Sequence, residues 1–281
     1  MLPIKTKKEL LKHLKKISSN GSLGLVPTMG ALHKGHASLI HKAVLENTSV
    51  IVTIFVNPTQ FDNADDLKKY PNTLNKDLEL ISTISPNIAV FVPAAQEIYE
   101  DAIVSKTYDF HGLDKVMEGE FRDDHFNGVG TIVETLFRLI APKKAYFGEK
   151  DFQQLRIIQK LTEIQKLPVK IVPCPIVREE HGLAMSSRNA RLDAKLRLKA
   201  GLIYTTLKIA KQKFGTEDAI EIKEWVKNVF LTENDLELEY FDITDVETLT
   251  PIKRKQKNMK YRAFIAVYAG GVRLIDNIAL N

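Results

Sequence analysis

Five short apolar runs, over residues 23–26, 49–56, 88–92, 145–147 and 169–172, alternate with helical patterns over 36–46, 72–82, 129–140 and 151–166. A strand that re-enters a sheet in the same direction needs a connection of a dozen or more residues, so this alternation predicts parallel strands joined by crossover helices. The expected fold class is therefore α/β, with a Rossmann-like parallel sheet over residues 1–174. Such a sheet binds ligands at the carboxyl ends of its strands, and chemistry is to be sought there. Ahead of the first run, Thr6 and Glu9 have capping-box spacing, and Leu10, Leu11, Leu14 and Ile17 share one helical face. The lysines of that helix read as a solvated outer face.

The pattern changes after Pro173-Cys174-Pro175, where two prolines are expected to interrupt regular structure. A domain boundary is placed there. Beyond it, helical patterns around 192–213 and 217–231 precede β-type runs at 236–243, 261–268 and 272–278, predicting a smaller C-terminal α+β domain over 175–281. A length of 281 residues accommodates two such domains, and 44% apolar with 27% charged residues excludes disordered or fibrous readings. The apolar stretches 50–56 and 87–95 fall far short of the ~20 residues of a membrane-spanning helix. Charged residues interrupt the first nine positions, so no secretory signal is expected. Cys174, the single cysteine, cannot form an intramolecular disulfide or a multi-thiolate metal site, which points to a reducing compartment. The formal charge of +5 is spread over both halves, which disfavours a nucleic-acid face and leaves room for a small anionic substrate.

Four segments carry candidate chemistry. After the first strand comes Pro27-Thr-Met-Gly-Ala-Leu-His33-Lys-Gly-His36, leading into a helix. A helix N-terminus presents unpaired amides and a positive dipole end to anions, and Gly30 and Gly35 allow close approach. Their spacing mimics a P-loop, but His36 and Ala37 stand where that motif needs Lys and Ser or Thr. His33 and His36 read either as paired donors to phosphates or as capping and core histidines. Gln60, in Phe55-Val-Asn57-Pro-Thr-Gln60-Phe61, can donate and accept as a hydroxy acid requires, or can be an ordinary turn residue. Gly148-Glu149-Lys150-Asp151-Phe-Gln-Gln154 offers a cation beside a second helix start, with Gln154 on the same helical face, or a plain N-capped helix. Gly182-Leu-Ala-Met185-Ser186-Ser187-Arg188-Asn189 is either a phosphate-wrapping loop or a helix N-cap.

In this order, together with Tyr70-Pro71 and His125-Phe126, these segments resemble the pantoate–β-alanine ligase family, one of the HxGH-type nucleotidyl-transfer families, over nearly the whole chain. The resemblance implies ATP-dependent condensation of (R)-pantoate with β-alanine to pantothenate, AMP and pyrophosphate through a pantoyl adenylate. It further implies magnesium accompanying ATP, a cytoplasmic homodimer, and a C-terminal lid closing over ATP. Carried over by residue, it assigns the ATP loop to Met29, Gly30, Ala31, Leu32, His33, Lys34, Gly35 and His36. His36, His33, Lys150 and Arg188 are the catalytic candidates. Gly148, Glu149, Lys150, Asp151, Val177, Met185, Ser186, Ser187 and Arg188 are the remaining ATP contacts, and Gln60 and Gln154 bind pantoate. No protein metal ligand is assigned; Asp77 is a weak candidate. The chain departs from the family pattern at His181 and at Asp123-Asp124, none of them an assigned residue.

Two rival functions share part of this pattern. Another HxGH enzyme would form a stable nucleotidyl conjugate rather than release AMP, and the Gln60 and Gln154 pair favours the ligase. A basic nucleic-acid module would need a clustered cationic face, which the charge distribution does not supply. His125 is expected to be an ordered loop residue, Trp225 a packing residue, and Cys174 a buried structural thiol.

Overall fold

The computed structural model describes residues 2–17, 21–61, 64–99 and 102–281. It contains a five-stranded parallel sheet in the order β3 (Ala89–Phe91), β2 (Ser49–Ile54), β1 (Leu23–Thr28), β4 (Lys144–Gly148) and β5 (Lys170–Cys174). The expected α/β sheet is thus present. Val50 to Ile54 of β2 are all buried, as strands covered by helices on both faces must be. The helix Lys34–Glu46 closes one face, burying Ile40 and Ala43 among Val26, Val50, Val52 and Tyr146. Among the described residues, no helix is long and apolar enough to cross a membrane.

Pro173 and Cys174 do not interrupt regular structure as expected: they lie inside β5, opposite Phe147 and Gly148 of β4. β5 is an edge strand, where a residue without a backbone donor is tolerated. Cys174 is buried there, and burial pushes its thiol up to about 11. The pattern around 192–213 is also not one helix. It breaks between Ala194–Lys199 and Leu202–Lys213, where a Cβ on Gly201 would lie 2.5 Å from the His181 carbonyl oxygen.

The chain divides into two compact units. One comprises Met1–Asp114, Glu118–Glu149 and Gln154–Pro175; the other comprises Lys115–Met117, Lys150–Gln153 and Ile176–Asn281. The second unit is built on the antiparallel sheet β6 (Leu236–Asp245), β7 (Tyr261–Ala269) and β8 (Val272–Ala279). The helices Leu202–Lys213 and Ala219–Leu231 cover it, packing Ile203, Leu207, Ile222 and Val226 against Phe241 and Ile265. Trp225 packs at the margin of this core as expected, half-buried.

Candidate active site

β1 lies between β2 and β4, the point at which the strand order reverses and where open parallel sheets hold ligands. The Met29 to His36 segment leaves the carboxyl end of β1, and Gly148-Glu149 leaves that of β4. Gly30 (φ +83°) and Ala31 (φ +50°) are both in the left-handed region. A Cβ on Gly30 would sit 3.1 Å from both Asp77 Oδ2 and Ile54 Cγ2, so only glycine meets both the conformation and the space. Asp77, 2% exposed, holds this turn. Its Oδ2 accepts the Ala31 N–H at 2.9 Å; its Oδ1 accepts the Leu32 N–H at 2.8 Å and the Thr73 hydroxyl at 3.1 Å. The carboxylate weighed as a metal ligand therefore has both oxygens committed to shaping the loop. Among the described residues, no group of three or more His, Cys, Asp or Glu side chains is arranged to hold a metal ion.

The helix after this loop begins at Lys34, with His33 as its N-cap. His33 Nδ1 accepts the Gly35 N–H at 3.1 Å, and His36 Nδ1 accepts the His33 N–H at 3.3 Å. The ring centroids are 4.1 Å apart. A ring nitrogen that accepts a hydrogen bond carries no proton, so in the neutral imidazoles the proton resides on Nε2. The capping reading of these histidines is the one the structure shows, and capping through Nδ1 leaves the proton of each neutral ring on Nε2.

Gln60 closes the short 3₁₀ turn Pro58–Gln60 after β2 and is buried. Its Nε2 donates to Met29 Sδ at 2.8 Å, and its Oε1 accepts from Asn57 Nδ2 at 3.3 Å. Asn57 is in turn fixed: its Nδ2 donates to the Gly128 carbonyl at 3.1 Å, and its Oδ1 accepts the Tyr99 hydroxyl at 2.5 Å. Burial raises the Tyr99 hydroxyl above its ordinary value, keeping it a donor. The helix His125–Ile140 approaches the turn so closely that a Cβ on Gly128 would lie 2.2 Å from the Thr59 carbonyl oxygen. His125 is the first residue of that helix and not a loop residue. It is buried, with Nδ1 2.7 Å from the Gln60 carbonyl oxygen and Nε2 3.0 Å from Arg122 Nη1. Arginine can only donate, so His125 Nε2 accepts and Nδ1–H donates to Gln60. Gln154 is half-buried on the helix Phe152–Ile164. Lys150 belongs to the preceding 3₁₀ turn Glu149–Asp151, so the α-helical spacing invoked for this pair does not apply.

In the second unit, Lys150 has a side chain 19% exposed and lies 3.4 Å from Asp151 Oδ1. The 185–188 segment is anchored at both ends. Met185 N–H donates to the Val177 carbonyl at 2.9 Å, and Ser186 caps the 3₁₀ helix Ser187–Arg191 by accepting the Arg188 N–H at 3.2 Å. Buried Asn189 donates to Glu179 Oε1 at 2.8 Å and to the Ala184 carbonyl at 3.0 Å. Burial pushes the Glu179 carboxyl up, but bonds from Arg197 and Asn189 outweigh it and hold the group below its ordinary value. Gly148, Glu149, Val177, Met185, Ser186, Ser187 and Arg188 are all half-buried. Sequence reasoning did not assign Asn57, Arg122, Tyr99, Arg178, Asp276 or Asn277. Tyr99, Asp276 and Asn277 act on residues far along the chain, so their signal is spatial, whereas Asn57 and Arg178 hold residues three and four positions away.

The profile of the pantoate-beta-alanine ligase family matches residues 3–279. A pantothenate synthetase of Christiangramia forsetii is 56% identical over 282 residues, covering 100% of both chains. One from Bacteroides fragilis is 45% identical over 99% of this chain and 98% of its own. The crystal structure of pantothenate synthetase from Thermus thermophilus superposes with a TM-score of 0.91 at 34% identity, covering 100% of this chain and 99% of that one. That of pantoate-beta-alanine ligase from Francisella tularensis, complexed with beta-gamma ATP and beta-alanine, gives 0.80 at 34% identity over 100% and 98%.

Proposed function

Because this chain belongs to the pantoate–β-alanine ligase family, we propose that it condenses (R)-pantoate with β-alanine at the expense of ATP, releasing AMP and pyrophosphate. A pantoate carboxylate oxygen attacks the α-phosphorus of ATP; the new C–O–P anhydride forms as the bond to pyrophosphate breaks. The β-alanine amine then attacks the acyl carbon, loses a proton and expels AMP, leaving the amide. No enzyme nucleophile is required, so the protein's task is positioning and charge stabilisation. ATP enters as its magnesium complex, the ion held chiefly by the phosphates.

The observation that carries this reading is the paired capping of His33 and His36. Both imidazoles take the tautomer whose Nε2–H donates, at a helix N-terminus, to oxygens that gain charge as pyrophosphate departs. We assign ATP contacts to Met29, Gly30, Ala31, Leu32, Lys34 and Gly35 of the same loop, to Gly148 and Glu149, and, from the second unit, to Lys150, Asp151, Val177, Met185, Ser186, Ser187 and Arg188. Lys150 and Arg188 supply the cations for the transferring phosphoryl group. Gln60 and Gln154 bind pantoate; Gln60 is fixed by Met29, Asn57 and His125 before substrate arrives. We further assign the 175–281 region the role of a lid, and the enzyme the form of a cytoplasmic homodimer. The test is pyrophosphate release from ATP with pantoate alone, followed by amide formation on adding β-alanine. Pyrophosphate release without pantoate, or a stable nucleotidyl product, would refute the assignment.

A further inference from the structure

The mechanism leaves unused a buried polar pair on β8. Asn277, 1% exposed, donates from Nδ2 to the Lys150 carbonyl at 2.8 Å, and its Oδ1 accepts from Arg262 Nη1. The Arg262 guanidinium lies 3.9 Å from the centre of the Phe152 ring, so the 150–152 segment is gripped from β7 and β8 together. Asp276, 4% exposed, takes Arg178 bidentately, Nη1 to Oδ2 at 2.5 Å and Nη2 to Oδ1 at 3.0 Å. Arg178 Nη1 donates onward to the Gly182 carbonyl at 3.1 Å, and the guanidinium stacks 3.6 Å over Tyr204. Gly182 (φ +98°) opens the segment that carries Met185 to Arg188, and Arg178 is bridged to Ala184. Two consecutive residues of one strand therefore hold the backbone beneath the lysine and the base of the Met-Ser-Ser-Arg loop.

Resting on the function proposed above, we propose that Asp276 and Asn277 are positioning residues for adenylate formation, setting the Lys150 backbone and the 185–188 loop in fixed register. Neither need touch ATP. Both bonds are buried and one is charge-paired, so β8 fixes both carriers of positive charge before nucleotide arrives. Asn277→Asp separates this role from simple packing: it keeps the oxygen that accepts from Arg262 but puts an acceptor opposite the Lys150 carbonyl.

The test measures pantoate-dependent ATP–pyrophosphate exchange for Asn277→Asp and Asn277→Ser, each in the wild-type and Lys150→Ala backgrounds. Loss of one buried bond predicts that exchange falls about ten- to hundredfold in the wild-type background. With the lysine ammonium gone, the same substitution should change the residual rate by less than about threefold, because the two residues act as one unit. Asn277→Ser serves if Asn277→Asp does not fold. Wild-type exchange rates in the Asn277 variants, or equal losses in both backgrounds, overturn the positioning role. Absence of exchange in the wild-type enzyme would instead strike the proposed function itself.

Discussion

Asp77 offers a quantitative test of how the proposed nucleotide loop is held. Asp77→Ala removes the acceptor for two backbone N–H groups, Ala31 at 2.9 Å and Leu32 at 2.8 Å, at a turn where Gly30 and Ala31 are both left-handed. Hydrogen bonds to a charged group contribute about 1.5–3 kcal/mol each. The half-buried loop can relax toward water, so the expected loss of stability is about 2–4 kcal/mol rather than the full sum. Asp77→Asn keeps one acceptor oxygen and turns an amide N–H₂ toward the other backbone donor, for an expected loss of about 1.5–3 kcal/mol. Part of the effect appears in function: each 1.4 kcal/mol needed to re-form the loop around ATP raises its apparent dissociation constant about tenfold. Urea unfolding gives the first quantity, and KM for ATP with kcat gives the second. Asp77→Ala within about 1 kcal/mol of wild type, with KM for ATP unchanged, would refute the view that this carboxylate pre-forms the loop. A loss of kcat alone would point instead to direct contact with the reacting phosphates.

The remaining expectations address other parts of the site. His36→Asn keeps an oxygen able to accept the His33 N–H but lacks the Nε2 donor; adenylate formation should fall by a factor of about 10² or more with thermal stability little changed. Lys150→Ala should lower the same step by about 10² or more, read by pyrophosphate release in a single turnover, with the fold intact by circular dichroism. Gly128→Ala places a methyl 2.2 Å from the Thr59 carbonyl oxygen and should cost about 1–3 kcal/mol while raising KM for pantoate more than KM for ATP. Glu179 has a lowered folded-state pKa, so its contribution is present above the unfolded value and lost as pH falls through the folded one. Urea unfolding should therefore show a decline below about pH 4 that Glu179→Gln flattens. Cys174, pushed up to about 11 by burial, should resist iodoacetamide at pH 8 in the native enzyme and react once unfolded.

How much of this was legible in the sequence differs between the frame and its supports. The parallel sheet was readable because burial on both faces writes each strand as a continuous apolar run, as in Val50 to Ile54. The position of the β1 loop followed from that, since Gly30 and the two histidines sit within ten residues of the strand they follow. Pro173 misled because a missing donor was weighed without knowing that β5 lies at an edge. His125 was misplaced because nothing in its own neighbourhood distinguishes a helix start from a loop; its meaning comes from a carbonyl 65 residues earlier.

That contrast has a physical origin. The residues proposed to meet the substrate fall in short runs of the chain, 29–36, 148–151 and 185–188, so their motifs are local and survive as contiguous strings. The groups that hold them come from elsewhere: Asp77 reaches 46 residues back to Ala31, His125 reaches 65 to Gln60, and Asn277 reaches 127 to Lys150. Each such bond closes a long loop whose entropy cost grows only slowly with length, so distance along the chain is no barrier to using it. All three supports terminate on backbone amides or carbonyls, groups that nearly every residue carries. A motif residue can therefore be replaced while its backbone remains held, but removing the distant support disturbs every side chain on that turn. Substitutions at Asp77 and His125 should accordingly impair the whole segment they hold, Asn277, which meets the 150 turn at the Lys150 carbonyl, should act through Lys150, and substitutions at His36 or Lys150 should remove one interaction from a segment that keeps its shape.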